Sequence, residues 1–193
     1  MKLKKVDIEW DQLGFDAIDT RSMFIATCED GNSWEGGSLV PYGKIELSPA
    51  AGVLNYGQGV FEGTKAYHTS KDNIVLFRID RNAERMAWST ERLCIPKMDI
   101  NFFKSAVMLT VQDNFDYVPP YGKGSMYIRP IVWGTSPALG VGPVSEYTFV
   151  VFVSPVGSYF KGGIRPLNLK IETEYHRAAP RGIGNAKAIG NYS

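Results

Sequence analysis

The sequence predicts an α+β fold. Three observations indicate it: strand-like apolar runs before residue 80, two stretches of helical periodicity over residues 80–115, and further strand-like runs after residue 125. Strands and helices grouped in blocks are typical of α+β domains. A segment rich in Gly and Pro, "PVGSYFKGG", follows. We therefore expect a small α+β domain over residues 1–155, a linker over 156–163 and the beginning of a second domain over 164–193.

The first strands are predicted from short apolar runs separated by turn residues. A run over residues 23–28 is followed by the turn cluster "EDGN", which predicts a hairpin into the segment around 38–47. The run "FEGTKAYH" over 61–68 predicts another strand. The polar residues 69–73 then turn the chain into a strand over 74–77.

Two helices follow, each with a candidate N-cap. Asp80 precedes a stripe of apolar positions that predicts a helix to about Leu93. Asp99 precedes a second stretch whose apolar residues recur at helical spacing to about Phe115. Aspartate suits both positions because its side chain accepts a hydrogen bond from a free N–H group of the first helical turn.

Three more strands are predicted over residues 125–133, 146–154 and 167–173. Side chains alternate between the two faces of a strand, so "SMYIRPIVWG" places Tyr127 and Arg129 together on one face. A buried arginine needs an anionic partner. That partner is either an internal carboxylate, which is the more common case, or a bound one.

The composition argues against several classes of function. The 21 basic and 20 acidic residues give a net charge of +1 without a basic stripe, so we expect no nucleic-acid partner. The opening "MKLKKVDIEWDQ" does not resemble a secretory signal, and no segment reaches the about 18 apolar residues of a membrane span. Cys28 and Cys94 lie far apart and histidines are few, so we expect no metal site and a cytoplasmic location.

Other residue types that carry chemistry have simple structural interpretations. In "LNYGQGVFEGTKAY", Tyr56 and Phe61 fit a glycine-rich turn with core aromatics, and Lys65 fits a surface lysine. Arg85 belongs to a charged stretch typical of a solvated helix face. Lys187 lies in "RGIGNAKAIGNYS", where small neighbours leave room for a flat ring, although a surface lysine is the more common interpretation.

Five segments, taken together, resemble one family. They are "NYGQGVFEGTKAY", "NAERM", "SMYIRP", "SPVGSYF" and "YHRAAPRGIGNAKAIGNYS". In this order they are similar to branched-chain amino acid aminotransferases, pyridoxal-phosphate enzymes of fold type IV. The resemblance implies the small domain of that fold, a mixed sheet with two helices, followed by the start of a larger β-rich domain that is incomplete. "YIRP" and "FEGTKAY" favour this family over the related D-amino-acid aminotransferases and aminodeoxychorismate lyases, which remain alternatives.

The resemblance assigns the cofactor, pyridoxal 5'-phosphate, to three residues. Lys187 aligns with the catalytic lysine, which binds the cofactor covalently and then moves the proton. Arg85 aligns with the arginine that binds the cofactor phosphate, against the interpretation as a solvated face. Tyr192 aligns with the tyrosine that hydrogen-bonds the phenolic oxygen of the cofactor.

The resemblance also implies a substrate site and a reaction. Six residues align with substrate-binding positions: Tyr56, Tyr127 and Arg129 for carboxylates, and Phe61, Val141 and Tyr159 for the side-chain pocket. The implied reaction transfers the amino group of leucine, isoleucine or valine to 2-oxoglutarate in a ping-pong cycle. A homodimer is implied, because in the family some pocket residues come from the neighbouring subunit.

The chain departs from the family pattern in three ways. Ile189 stands at a position that is usually glycine, and would be strained if its φ were positive. Ile183 replaces an expected threonine. The chain ends soon after Lys187, whereas the family continues with the carboxylate that pairs with the cofactor's ring nitrogen. We therefore expect little or no transaminase activity from these 193 residues alone; a non-catalytic fragment is the alternative.

Overall fold

A computed structural model gives the structure of the protein and describes residues 7–159 and 166–192. Within these residues, seven strands form one sheet. The strands are β1 (Ser22–Glu29), β2 (Ser38–Pro41), β3 (Gly59–Phe61), β4 (Thr64–His68), β5 (Ile74–Leu76), β6 (Ser125–Gly134) and β7 (Glu146–Val156). The α-helices are α1 (Gly52–Tyr56), α2 (Ile79–Arg92) and α3 (Ile100–Asp113). The predicted α+β class is confirmed.

The strand order is β2-β1-β7-β6-β4-β5, and β3 also pairs with β6. Every named strand pair in the described residues is antiparallel, where a mixed sheet was expected. The predicted hairpin between β1 and β2 is confirmed. The long β6 and β7 form the centre of the sheet, so the "YIRP" residues lie on a strand that is paired on both sides.

The strand predicted over residues 61–68 is divided into β3 and β4. Both parts pair with β6 in one continuous register, Phe61 opposite Ile131 and Thr64 opposite Ile128. The interruption lies opposite Pro130, which has no N–H group to donate to the ladder. The Pro130 carbonyl still accepts a hydrogen bond from the Glu62 N–H at 2.7 Å.

The two faces of the sheet carry different sets of side chains. One face packs against α2 and α3 and forms the main core, which includes Met126, Ile128 and Phe149. The opposite face carries Tyr127 and Arg129 with a smaller apolar cluster that includes Trp133, Val150 and Met23. The alternation predicted from the β6 sequence is therefore confirmed. It places the candidate site residues Tyr127 and Arg129 on the face opposite the main core.

The cap predictions have different outcomes. The Asp99 side chain accepts a hydrogen bond from the Phe102 N–H at 2.7 Å and caps α3, as predicted. The prediction for Asp80 is wrong, because α2 begins at Ile79 and Arg78 occupies the N-cap with φ of 52°. Asp80 lies inside the first turn, where its carboxylate pairs with Arg78 and Arg81. Its negative charge also interacts favourably with the positive end of the helix dipole.

The strand predicted over residues 167–173 is wrong. The described residues there form no strand, and Leu169 and Ile171 are 88% and 87% exposed. A strand requires a neighbour to satisfy its backbone groups, and the described residues supply none here.

The domain boundary placed at residue 155 stays a prediction. The strand β7 extends to Val156, and residues 160–165 of the predicted linker lie outside the described residues.

The last described segment returns to the sheet. Val60 in β3 forms an antiparallel bridge with Ala188, and a 3-10 turn covers Ile189–Tyr192. The strain considered at Ile189 is not found, because it is not among the described non-glycine residues with positive φ, which are Asp72, Arg78, Cys94 and Arg181. Ile183 is 36% exposed, and the hydroxyl expected at this position is absent.

Candidate active site

Lys187 is held by its backbone between a helix and a strand. Its N–H group donates to the Ser89 Oγ of α2 at 3.0 Å, and its carbonyl accepts from the Phe61 N–H of β3 at 3.1 Å. The flanking Ala186 and Ala188 are 3% and 1% exposed. The small residues around the lysine therefore allow the chain to pack closely on the sheet.

The lysine amine faces two aromatic rings. Its Nζ lies 3.2 Å from the Tyr192 hydroxyl and 4.4 Å from the centre of the Phe61 ring. The Phe61 and Tyr192 rings pack edge to face with their centres 4.9 Å apart. Asn191 holds the segment around the lysine, since its Nδ2 donates to the carbonyls of Ile183 and Ala186, both at 2.9 Å.

Arg129 contacts the same phenylalanine. Its guanidinium carbon is 4.7 Å from the centre of the Phe61 ring, and Nη2 donates to the Tyr127 hydroxyl at 2.8 Å. The buried Nε of Arg129 has no hydrogen-bond partner among the described residues. No ion pair within residues 7–159 and 166–192 includes this arginine, so the internal carboxylate is not found there.

A cavity of about 200 Å³ opens beside Tyr127 and Arg129. Phe15 lines it, and the Phe15 ring packs edge to face against Tyr127 at 5.6 Å and Tyr159 at 4.9 Å. Tyr159, predicted for the side-chain pocket, is thus joined to the Arg129 face of the sheet. Sequence reasoning missed Phe15, because a single aromatic residue before the first strand has no periodic neighbours that would indicate its position.

Arg85 is paired with a buried carboxylate that sequence reasoning also missed. Its Nε lies 2.5 Å from Glu62 Oε1, and its Nη2 lies 2.7 Å from Oε2. The hydrogen bond to Glu62 is the largest cause of the raised pKa of Arg85, and the nearby Tyr192 phenol also raises this pKa. Arg85 lies one helical turn before Ser89, the α2 residue that accepts the Lys187 N–H, so the three predicted cofactor residues lie in one neighbourhood.

Three other candidates lie outside this neighbourhood. The Tyr56 hydroxyl donates to the Leu139 carbonyl at 2.5 Å, and Val141 is 90% exposed. The contacts found in the described part of the chain join neither residue to Phe61 or Lys187. Lys65, the rival amine, lies 5.8 Å from the Phe15 ring centre.

The described residues show neither a membrane-crossing helix nor a metal-binding cluster. None of their helices is long and apolar enough to cross a membrane. They also contain no group of three or more His, Cys, Asp or Glu side chains that could hold a metal ion.

Comparisons with known proteins found close relatives, although no family model matches the chain. The chain is 51% identical over 187 residues to branched-chain amino acid aminotransferase 2, chloroplastic, of Humulus lupulus, a match that covers 97% of the chain and 46% of that protein. It is 49% identical over 187 residues to a mitochondrial branched-chain aminotransferase of Arabidopsis thaliana, covering 96% of the chain and 48% of the relative. A methionine aminotransferase of Arabidopsis thaliana is 42% identical over 189 residues, with 98% and 53% covered. The chain spans about half the length of the curated relatives it matches.

Solved structures show the same fold. A branched-chain amino acid aminotransferase from Escherichia coli matches with a TM-score of 0.67 at 24% identity, covering 90% of the chain and 51% of that protein. The enzyme from Thermoproteus uzoniensis, solved with norvaline, matches with a TM-score of 0.60 at 26% identity, covering 89% and 52%. A third enzyme of this name, from T.th. and solved with pyridoxamine 5'-phosphate, matches with a TM-score of 0.53 at 28% identity, covering 70% and 41%.

The expected cytoplasmic location is wrong. Relatives that match nearly the whole chain are named chloroplastic in Humulus lupulus and Arabidopsis thaliana, and mitochondrial in both plants. The low cysteine content on which the expectation rested does not distinguish the cytoplasm from the interior of an organelle. With 51% identity over 97% of its length and a fold shared with solved enzymes, the chain belongs to the branched-chain amino acid aminotransferases of fold type IV.

Proposed function

We propose that this chain provides the catalytic lysine and part of the substrate site of a pyridoxal-phosphate-dependent aminotransferase. The proposed reaction moves the amino group of leucine, isoleucine or valine to 2-oxoglutarate. The observation that carries the proposal is the position of Lys187, whose amine lies beside the Tyr192 hydroxyl and the Phe61 ring. The two backbone hydrogen bonds of Lys187, to Ser89 and Phe61, hold the lysine at this place between α2 and β3.

The side chains around Lys187 fit pyridoxal phosphate as a set of donors. A primary amine suits the aldehyde, the Tyr192 phenol suits the phenolic oxygen, and the half-exposed Arg85 guanidinium suits the phosphate. When bound, this cofactor supplies an electron sink for the electrons released at the substrate Cα. The T.th. relative, solved with pyridoxamine 5'-phosphate, supports the assignment.

Lys187 performs the proton transfer in this proposal, and Tyr192 positions it. The Lys187 amine removes the proton from the Cα of the amino acid and returns a proton in the second half of the cycle. The Tyr192 hydroxyl, 3.2 Å away, keeps the amine in position. The Phe61 ring excludes water from one side of the amine.

Arg129 and Tyr127 bind the substrate carboxylate. The buried Arg129 Nε–H has no partner in the described residues, and an unpaired buried donor of this kind is costly to a fold. A carboxylate in the adjacent cavity would satisfy it. The amino acid and 2-oxoglutarate both carry such a group, so one arginine can serve both halves of the reaction, while the Phe61 and Phe15 rings offer apolar contacts to a branched side chain.

The relatives support a branched-chain substrate over methionine. Identity is 51% to the Humulus lupulus branched-chain enzyme and 42% to the methionine aminotransferase of Arabidopsis thaliana. We expect little turnover from the 193 residues alone, because the relatives named for this activity are about twice as long. The names of these relatives also favour an organelle as the place of the reaction.

We also propose a homodimer. Leu139 and Val141 are each 90% exposed on the loop to which Tyr56 is bonded. Their exposure agrees with a role in the neighbouring subunit's site rather than in the site of the same chain. Sedimentation equilibrium of the natural protein tests the dimer, and a monomer at micromolar concentration contradicts it.

The cofactor lysine is tested by covalent labelling of the full-length natural protein. The protein is incubated with pyridoxal phosphate, reduced with borohydride and digested, and the labelled peptide is identified by mass. We expect the label on Lys187, its loss in Lys187→Arg and its retention in the matched variant Lys65→Arg. Label on Lys65, or label retained by Lys187→Arg, contradicts the proposal. Turnover of leucine, valine, isoleucine and methionine with 2-oxoglutarate then ranks the substrates.

A further inference from the structure

Glu62 is the one charged residue among the buried described residues. It is 0% exposed and lies between Phe61 at the end of β3 and Thr64 at the start of β4. Its backbone N–H bonds to the Pro130 carbonyl, and its side chain leaves the sheet toward α2. Burying a carboxylate is costly unless hydrogen bonds and an opposite charge compensate it, so the contacts of this group indicate what it does.

All the described side-chain contacts of Glu62 are made with one face of α2 and with the next residue. The carboxylate accepts from Arg85 Nε at 2.5 Å and Nη2 at 2.7 Å, from Asn82 Nδ2 at 2.8 Å and from the Gly63 N–H at 3.3 Å. Asn82 and Arg85 are three residues apart, so they lie on the same side of the helix. Glu62 thus fixes Arg85 with two parallel hydrogen bonds, an arrangement that sets the plane of a guanidinium.

Charge compensation explains why Glu62 needs Arg85, but not why a carboxylate is buried beside this arginine. The Arg85 side chain is 52% exposed, whereas the Glu62 side chain is 0% exposed. A half-exposed guanidinium is already solvated and needs no buried carboxylate. Arginine has five N–H donors, and the contacts with Glu62 use Nε and Nη2. The Nη1 edge is thereby directed away from Glu62.

We infer that Glu62 is a positioning residue that orients Arg85 for an anionic group of the cofactor, its phosphate. The inference rests on the proposed function. Glu62 does not touch the phosphate, and its negative charge would itself repel an anion. Its contribution is therefore orientation: without it the Arg85 side chain rotates freely and loses part of its preference for a fixed phosphate.

The experiment measures affinity for two probes, pyridoxal 5'-phosphate and pyridoxal, which lacks the phosphate. The natural protein at full length is freed of cofactor and titrated with each probe, with the absorbance of the bound probe as readout. Arg85→Ala is the reference for complete loss of the phosphate contact. We expect Glu62→Gln to weaken pyridoxal phosphate roughly tenfold and to change pyridoxal less than about twofold.

Two further variants keep the result interpretable. Glu84→Gln removes an exposed carboxylate that pairs with Arg81 on the same helix, at 2.6 Å, and is expected to leave both affinities unchanged. Asn82→Ala removes a donor to Glu62 without removing the charge, and is expected to act in the same direction as Glu62→Gln with a smaller effect. It replaces Glu62→Gln if the latter does not fold.

The outcomes separate the inference from the proposed function. Loss of pyridoxal phosphate affinity alone in Glu62→Gln or Asn82→Ala supports the inference. Unchanged affinity for both probes, or equal loss of both, overturns it, because equal loss is the mark of a purely structural role. If the unmodified protein does not discriminate between the probes, or Arg85→Ala retains the discrimination, the phosphate assignment within the proposed function fails, and the inference fails with it.

Discussion

The amine of Lys187 lies 3.2 Å from the hydroxyl of Tyr192, five residues further along the chain. A 3-10 turn over Ile189–Tyr192 brings the two side chains together, and both contact the Phe61 ring. The turn therefore gives the lysine amine a hydrogen-bond partner that comes from its own segment, while the sheet provides the aromatic ring that both side chains contact.

Tyr192→Phe tests this pairing. The variant keeps the ring that packs on Phe61 and removes only the hydroxyl, so we expect unchanged stability. If Lys187 is the catalytic amine, as proposed, kcat falls by up to about a hundredfold, because a small misplacement of such a group is costly. Steady-state kinetics of the full-length natural protein with leucine and 2-oxoglutarate measures it. A kcat within about twofold of the unmodified protein contradicts the assigned role.

Ser89→Ala tests how the lysine backbone is held. Ser89 is 0% exposed and accepts the Lys187 N–H at 3.0 Å. Without this acceptor the N–H is left unpaired, at a cost of about 1–3 kcal/mol. We expect hydrogen exchange at the Lys187 amide to accelerate about tenfold. Ser105→Ala, on the exposed side of α3, gives the same gain in helix propensity and serves as the matched control; equal behaviour of the two variants disproves the role.

The Ile189 side chain fills the space that a Cβ on Gly59 would need. A Cβ on Gly59 would lie 2.5 Å from Ile189 Cδ1 and 3.1 Å from the Val132 carbonyl oxygen. Overpacking of this kind destabilises by about 1–3 kcal/mol, so Gly59→Ala is expected to lower the free energy of unfolding by that amount.

The cause is tested in an Ile189→Val background, because valine lacks the Cδ1 atom. Urea denaturation of both single variants and the double variant gives the coupling energy. We expect Gly59→Ala to cost at least about 0.5 kcal/mol less beside Val than beside Ile. Additive effects would show that the Val132 carbonyl, rather than Ile189, opposes the added methyl.

The two cysteines are expected to differ in reactivity. Burial raises the pKa of the Cys28 thiol, so less thiolate is present at a given pH, and the thiolate is the reactive form. Cys94 is exposed. With a thiol-specific reagent at pH 8, we expect one fast thiol, which Cys94→Ser removes and Cys28→Ser leaves. Two thiols reacting at one rate would contradict the buried position of Cys28.

Local structure was largely predictable from the sequence. Asp99 caps α3 because the aspartate side chain bonds to an N–H only three residues away, and the β6 alternation holds because it follows from strand geometry. The role of Lys187 came from the resemblance of five ordered segments, since its immediate neighbours alone favoured a surface lysine.

Relationships between distant segments depended on the tertiary structure. The residues over 167–173 have strand-like composition, but the described chain offers them no neighbour to pair with. Glu62 and Arg85 are 23 residues apart, and Lys187 and Ser89 are 98 apart. The sequence alone determined the local elements and the family, because caps, alternation and ordered segments are properties of neighbouring residues. Only the tertiary structure decided which carboxylate holds Arg85 and which hydroxyl holds Lys187. Such partners are selected by how distant segments pack against one another, and no local sequence pattern encodes that packing.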